Sequence, residues 1–208
     1  MQMTITRALN ELSLLDSRIS RAISEAQFST YKKASSKNVL NGRKTVEEFQ
    51  KDAKASYQSV VDLIERRKKI KELVVASNAV TKVMVGSVEY TVASAIERKA
   101  SIQHDKQLLS KLIASLSNSV QYTEKANDKL EAEINNMNLA YMSKENAVSE
   151  TMLKMNQEYR EQNQTVIIDP LNLTTLIDKL RYEIEEFESN VDFALSEINA
   201  VTKIEVQD

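Results

Sequence analysis

Two short stretches of the chain place an amide, a hydroxyl and an ammonium within five residues: Asn78-Ala79-Val80-Thr81-Lys82 and Asn199-Ala200-Val201-Thr202-Lys203. They belong to a longer echo, NAVTKVMV at 78–85 and NAVTKIEV at 199–206, in which six of eight positions are identical. Each follows a helical stripe. Brought together, Asn78, Thr81, Lys82, Asn199, Thr202 and Lys203 would suit a small phosphate-bearing molecule. Tyr90, Thr91 and Arg98 stand close in sequence at the start of a long helix, whose free N–H groups favour an anion. A purely structural reading of the same residues stands beside this one. Asn caps a helix C-terminus, Thr favours a strand, and Lys protects a sheet edge without any ligand.

Other chemistry is poorly provided for. His104 is the one histidine and lies mid-helix beside Asp105, where neighbours in sequence point apart, so it reads as a surface residue. The absence of cysteine removes disulfides, thiolate metal sites and thiol nucleophiles, and it suits a reducing cytoplasm. There is no Gly-rich phosphate loop, nucleophile elbow or HExxH motif. A dimetal carboxylate bundle needs Glu-x-x-His pairs on facing helices, which one histidine cannot supply. The expectation is a non-enzymatic chain with no metal and no cofactor. The cluster Arg66-Arg67-Lys68-Lys69-Ile70-Lys71 reads as a solvated helix face, or as the partner of the acidic Glu183, Glu185, Glu186 and Glu188, before it reads as a phosphate patch.

These groups must be carried by long helices. Only two Gly and one Pro occur in 208 residues, and the formal net charge is −2 with both signs spread throughout, which gives no case for nucleic acid. No apolar run is long enough to span a membrane, and the N-terminal stretch lacks the basic-then-apolar pattern of a signal peptide. From Ala95, steps of three and four reach Lys99, Ile102, Lys106, Leu109, Ile113, Leu116, Val120, Thr123, Asn127, Leu130, Ile134, Met137 and Tyr141, and ten of the fourteen positions are apolar. A helix of about fifty residues would be roughly 75 Å long. Such a rod must bury its seam against the chain's other helices or a second copy, and Lys99, Lys106 and Asn127 on that seam restrict its register.

Taken in order, Thr4 caps a first helix with the stripe Ile5, Ala8, Leu9, Leu12, Leu15, Ile19, Ala22 and Ile23. Periodicity fades over 27–44, where Asn41-Gly42 signals a turn and a short hairpin. Thr45 and Glu48 form a capping box for a second helix with Phe49, Ala53, Tyr57, Val60, Val61, Ile64, Ile70, Leu73 and Val74 on its buried side. Gly86-Ser87 is a two-residue hairpin turn, and Thr91 after it suits the N-cap of the long central helix. Beyond Tyr141 the stripe Val148, Met152, Met155 and Tyr159 marks an adaptable Met-rich helix that doubles back. Thr165-Val166-Ile167-Ile168 is a strand candidate, and Asp169-Pro170 opens the last helix, whose stripe is Leu173, Ile177, Leu180, Ile184, Phe187, Val191, Leu195 and Ile198. The fold expected is mainly α: long antiparallel helices in an elongated bundle or coiled coil, as a single domain over 1–208, with a small β element at one end. Helices are expected over 5–26, 45–77, 92–142, 145–162 and 170–198, and strands over 80–85, 88–91, 165–168 and 201–206. The two echo strands are expected to lie together in one sheet.

The opening TRALNELSLLDSRI, the NAVTK before a Gly turn and EYTVASAIERKASI, the DPLNL and the closing EEFESNVDFALSEINAVTKIEV resemble uncharacterised proteins of phages and prophages of Gram-positive bacteria. More distantly the chain resembles the septicolysin-like family, in its Asn-x-x-Thr junctions, its Gly hairpin and the helix start Ala93, Ser94 and Ala95 through Arg98. The lytic activity implied by that family's name is not carried over, because nothing in the sequence inserts into a membrane. The long helices point to a homo-oligomer, and phage carriage together with the missing catalytic set and the cytosolic composition favours a non-enzymatic binding protein in the cytoplasm of an infected bacterium. There it would sequester a phosphate-containing, nucleotide-derived immune signal or block a host defence protein. A structural or assembly coiled coil of the phage particle is the alternative.

Overall fold

In a computed structural model, residues 1–40, 43–142 and 150–206 are described. The order is β1 (Gln2–Thr4), α1 (Ile5–Glu25), β2 (Asn38–Val39), β3 (Lys44–Thr45), α2 (Val46–Val80), β4 (Lys82–Val85), β5 (Val88–Thr91), α3 (Val92–Met142), α4 (Glu150–Asn163), α5 (Leu173–Val201) and β6 (Lys203–Glu205). The fold is mainly α with small two-stranded antiparallel sheets, β1 with β6, β2 with β3, and β4 with β5. Two compact units form, Met1–Ala100 with Phe187–Asp208, and Ser101–Glu186.

In the first unit, Thr4 accepts from Arg7 N at 3.3 Å and starts α1. α1 then lays Ile5, Ala8, Leu12 and Leu15 against Ile70 and Val74 of α2, with Met3, Ile204 and Val206 closing the same core. Burying each of these aliphatic side chains contributes roughly 1.5–3 kcal/mol. The α2 stripe runs through Val60, Leu63, Ile70 and Val74, whereas Ile64 and Tyr57 are exposed. Counting from Ile64 puts the stripe one residue out of phase, because α2 turns Leu63 to the core. Leu9 and Ile23 of the α1 stripe are exposed as well.

The capping box forms as read: Thr45 Oγ1 accepts from Glu48 N at 3.2 Å and Glu48 Oε2 accepts from Thr45 N at 2.9 Å. Gly86 has φ 58° between Val85 and Val88, which pair across the hairpin. Only glycine takes that value without a steric cost, and positive φ at the first loop position matches the type II′ pattern.

The two echo strands do not share a sheet. β4 pairs with β5 and β6 with β1. The partner β1 is three residues long, too short to show alternation in sequence. Both preceding helices also run three residues past the expected ends at 77 and 198, to Val80 and Val201. Asn78 and Asn199 therefore sit in last turns, and Thr is the residue that leaves the helix. Thr81 is extended, at φ −71° and ψ 125°, and caps α2.

In the second unit α3 and α4 run antiparallel, as the pairs Glu131 with Arg160, Asn138 with Asn156 and Asn127 with Thr165 require. Leu130 and Ile134 of α3 and Met152 of α4 are buried. Val148, on the expected α4 stripe, and the Asn41-Gly42 turn lie outside the described residues. Residues 165–168 form no strand, carry no helix, turn or bend, and pair with none of the described strands. The last helix starts at Leu173 rather than 170. Asp169 does cap it, but from further out, accepting from Leu171 N at 3.2 Å and from Leu173 N at 2.7 Å. The intervening Asn172 takes φ 52° and its carbonyl accepts from Leu176 N, so the turn through Pro170 precedes the helix.

Candidate functional site

The residues singled out for binding lie at two junctions built alike. At the first, Thr81 N donates to Ser77 O at 2.9 Å, and Thr81 O accepts from Val92 N at 2.9 Å. At the second, Thr202 N donates to Ile198 O at 2.9 Å, and Thr202 O accepts from Ile5 N at 2.9 Å. Each Thr thus closes one helix and ties down the first residue of another. The pairing registers agree: Lys82 opposes Thr91, Val83 opposes Tyr90 and Met84 opposes Glu89, as Lys203 opposes Thr4, Ile204 opposes Met3 and Glu205 opposes Gln2. Burial follows the same order, with Val83 and Val85 buried at one junction and Ile204 and Val206 at the other.

The nine candidate residues are consequently split. Thr81, Lys82, Tyr90 and Thr91 meet across the β4–β5 ribbon, and Thr202 and Lys203 lie on β6 and its approach, beside β1. Asn78 and Asn199 are half-buried in their separate helix ends. Lys82 Nζ pairs with Glu89 Oε1 at 2.8 Å, and the hydrogen bond to that carboxylate raises its pKa above the ordinary value. Thr91 Oγ1 accepts from Ser94 N at 3.1 Å as the α3 cap, so one of the N–H groups expected to attract an anion is already satisfied.

Tyr90 and Arg98 do converge, but on an aromatic ring. Phe187, 5% exposed, packs edge-on to Tyr90 with centroids 5.6 Å apart, and the Arg98 guanidinium lies 5.8 Å from its centre. Sequence reasoning placed Phe187 in the α5 stripe without this role. The signal was there in its count from Thr202, which equals the count of Arg66 from Thr81.

The basic cluster pairs with α1, not with the acidic run of α5. Arg66 Nη2 lies 2.7 Å from Glu11 Oε1, and Arg67 pairs with Asp16. The hydrogen bond from Arg67 holds the Asp16 carboxyl below its ordinary value. These two arginines fasten α1 to α2 and are not spare phosphate ligands. His104 is exposed, as its place mid-helix suggests.

The second unit offers a different kind of surface. A cleft of about 640 Å³ lies between α3 and α4, lined by Met137, Tyr141, Met152, Met155, Asn156 and Tyr159 among others. Arg160 grips Glu131 with two bonds, 2.6 and 2.9 Å, and lowers that carboxyl's pKa. Asn127 holds Thr165 by both backbone groups, donating to its O at 3.0 Å and accepting from its N at 2.8 Å. Asn127 thus anchors a connection, where its place on the seam suggested a register residue. Among the described residues no group of three or more His, Cys, Asp or Glu is placed to hold a metal ion. Among the described residues no helix is long and apolar enough to cross a membrane. Compared with protein-family models, curated proteins and solved structures, the chain matches none.

Proposed function

We propose that the chain is a non-enzymatic binding protein that works through apolar helical surface, blocking another protein rather than sequestering a small anion. The supporting observation is the balance of apolar residues in the second unit. Among the described residues, Ile102, Leu130, Ile134, Met152, Ile177 and Ile184 are buried there, while fourteen large apolar side chains are exposed, among them Leu108, Tyr122, Leu139, Leu153 and Tyr182. Met137, Tyr141, Met155 and Tyr159 among them line the cleft between α3 and α4, and a contiguous exposed apolar patch marks an interaction site. The junction residues argue the other way for a small-molecule site, since Thr81, Lys82, Thr91 and Thr202 already have partners within the fold.

With the resemblance to phage proteins, the reading becomes a counter-defence factor in the cytoplasm of the infected host, its target a host defence protein. The test is infection of defended bacteria by phage with and without the gene, and with Leu139→Glu plus Leu153→Glu. Loss of growth on deletion, reproduced by the double variant with its circular dichroism unchanged, supports the reading. Equal growth of all three phages overturns it. The length of α3, Val92–Met142, favours a second reading as an assembly coiled coil of the phage particle. That reading predicts the chain at stoichiometric levels in purified particles.

A further inference from the structure

Between α4 and α5 the chain crosses a stretch with no helix, turn or bend, whose side chains are among the most apolar and exposed of the described residues. Val166 is 63% exposed, Ile167 42% and Ile168 87%. Three adjacent β-branched residues in water are costly to keep there and are typical of a strand. Among the described residues, the backbone N–H and C=O groups of Val166, Ile167 and Ile168 have no hydrogen-bond partner. The stretch is nonetheless held in place, because Asn127 engages both backbone groups of Thr165 as a neighbouring strand would.

We propose that Thr165–Ile168 is a preformed edge strand that pairs antiparallel with the same segment of a second copy of this chain. In an extended chain the N–H and C=O of one residue point to the same side, and successive residues alternate. With Thr165 committed toward Asn127, Ile167 points the same way, and Val166 and Ile168 present the free edge. Side-chain exposure alternates in step, high at Val166, lower at Ile167 and high at Ile168.

A two-fold axis through Ile167 makes this edge self-complementary. It sets Val166 against Ile168 of the partner subunit and Ile168 against Val166 of the partner subunit, each pair exchanging two hydrogen bonds. Ile167 meets Ile167 of the partner subunit in the closer, non-hydrogen-bonded pair. Charge agrees with the register: Asp169 falls opposite neutral Thr165 of the partner subunit, so no like charges face each other. Pro170 has no N–H and ends the ladder, while Gln164 N is already bonded to Arg160 O at 2.8 Å. So short a ladder gives a weak, concentration-dependent dimer.

Sedimentation of the whole protein over a concentration series tests the pairing. A monomer–dimer equilibrium is expected, with its Kd raised about tenfold or more by Val166→Pro, which deletes one outward N–H from each copy. Because the chain has no cysteine, Ile167→Cys gives an independent reading. It should form a covalent dimer under mild oxidation, and Ile168→Cys, displaced two residues from its own copy, should form far less. If Val166→Pro unfolds the protein, the cysteine pair decides. A monomer at every concentration, a dimer indifferent to Val166→Pro, or equal crosslinking at 167 and 168 overturns the proposal.

Discussion

The two Thr-Lys junctions share backbone bonds, register and burial, yet differ in the side chains that hold the helices beside them. Counting back from Thr81 and Thr202, Arg66 of α2 corresponds to Phe187 of α5. Counting on from Thr4 and Thr91, Glu11 of α1 corresponds to Arg98 of α3. At one junction the pair is an ion pair, Glu11 with Arg66 at 2.7 Å; at the other it is a guanidinium 5.8 Å from an aromatic ring. The repeat therefore resides in backbone geometry and buried aliphatics, and the charged residues vary around it. Polar residues repeated in a sequence are thus no sure sign of a ligand, since Thr and Lys recur here because a helix exit and a strand edge recur.

The largest effects should come from the positions the junctions share. Ile5 and Val92 are equivalent first residues of α1 and α3, each 1% exposed. Ile5→Ala should cost about 2–5 kcal/mol in guanidinium unfolding. Val92→Ala, which removes fewer carbons, should cost less by about 1 kcal/mol. A near-zero cost at either site would end the equivalence.

Asn127→Leu comes next and concerns the second unit. On a coiled-coil seam, replacing a polar residue with Leu would raise stability. Here it would strand the backbone groups of Thr165, so a loss of about 1–3 kcal/mol is expected. Cap removal is smaller: Thr4→Ala and Thr91→Ala should each cost about 1 kcal/mol, and similar values would sharpen the comparison.

The parts of this fold legible in the sequence are those governed by neighbours within a turn or two. The capping box at Thr45, the cap at Thr91, the Gly86 hairpin and the α5 stripe all depend on spacings of a few residues. What escaped depends on distant partners. Thr165 lies 38 residues from Asn127, and β1 meets β6 across nearly the whole chain. Asn78 and Asn199 suggested helix ends three residues early because Asn favours that place, whereas each Thr carbonyl holds the N–H of a remote helix start. The candidate site was legible as an echo, but its structural purpose was not, since the bonds that use it join segments unrelated in sequence.

The smallest effects are electrostatic, and they separate the junctions most finely. Arg66→Ala should cost at most about 1 kcal/mol, with the loss shrinking as salt is added, because its pair with Glu11 is partly exposed. The pH limbs differ too. Glu131, held by Arg160, has its pKa lowered from the ordinary 4.5, so its contribution is present above that value and is lost as pH falls through the folded one. Glu131→Gln should flatten the acid limb of unfolding.

Lys82 behaves in the opposite sense. Glu89 raises its pKa from the ordinary 10.5, so its contribution is complete below that value and is lost as pH rises through the folded one. The residue equivalent to Glu89 beside Lys203 is the neutral Gln2. Lys82→Gln should therefore change the alkaline limb of a pH–stability curve. An alkaline limb that Lys82→Gln leaves unchanged would mean that the Glu89 pair adds nothing to stability, and that the difference between the junctions stops at Phe187.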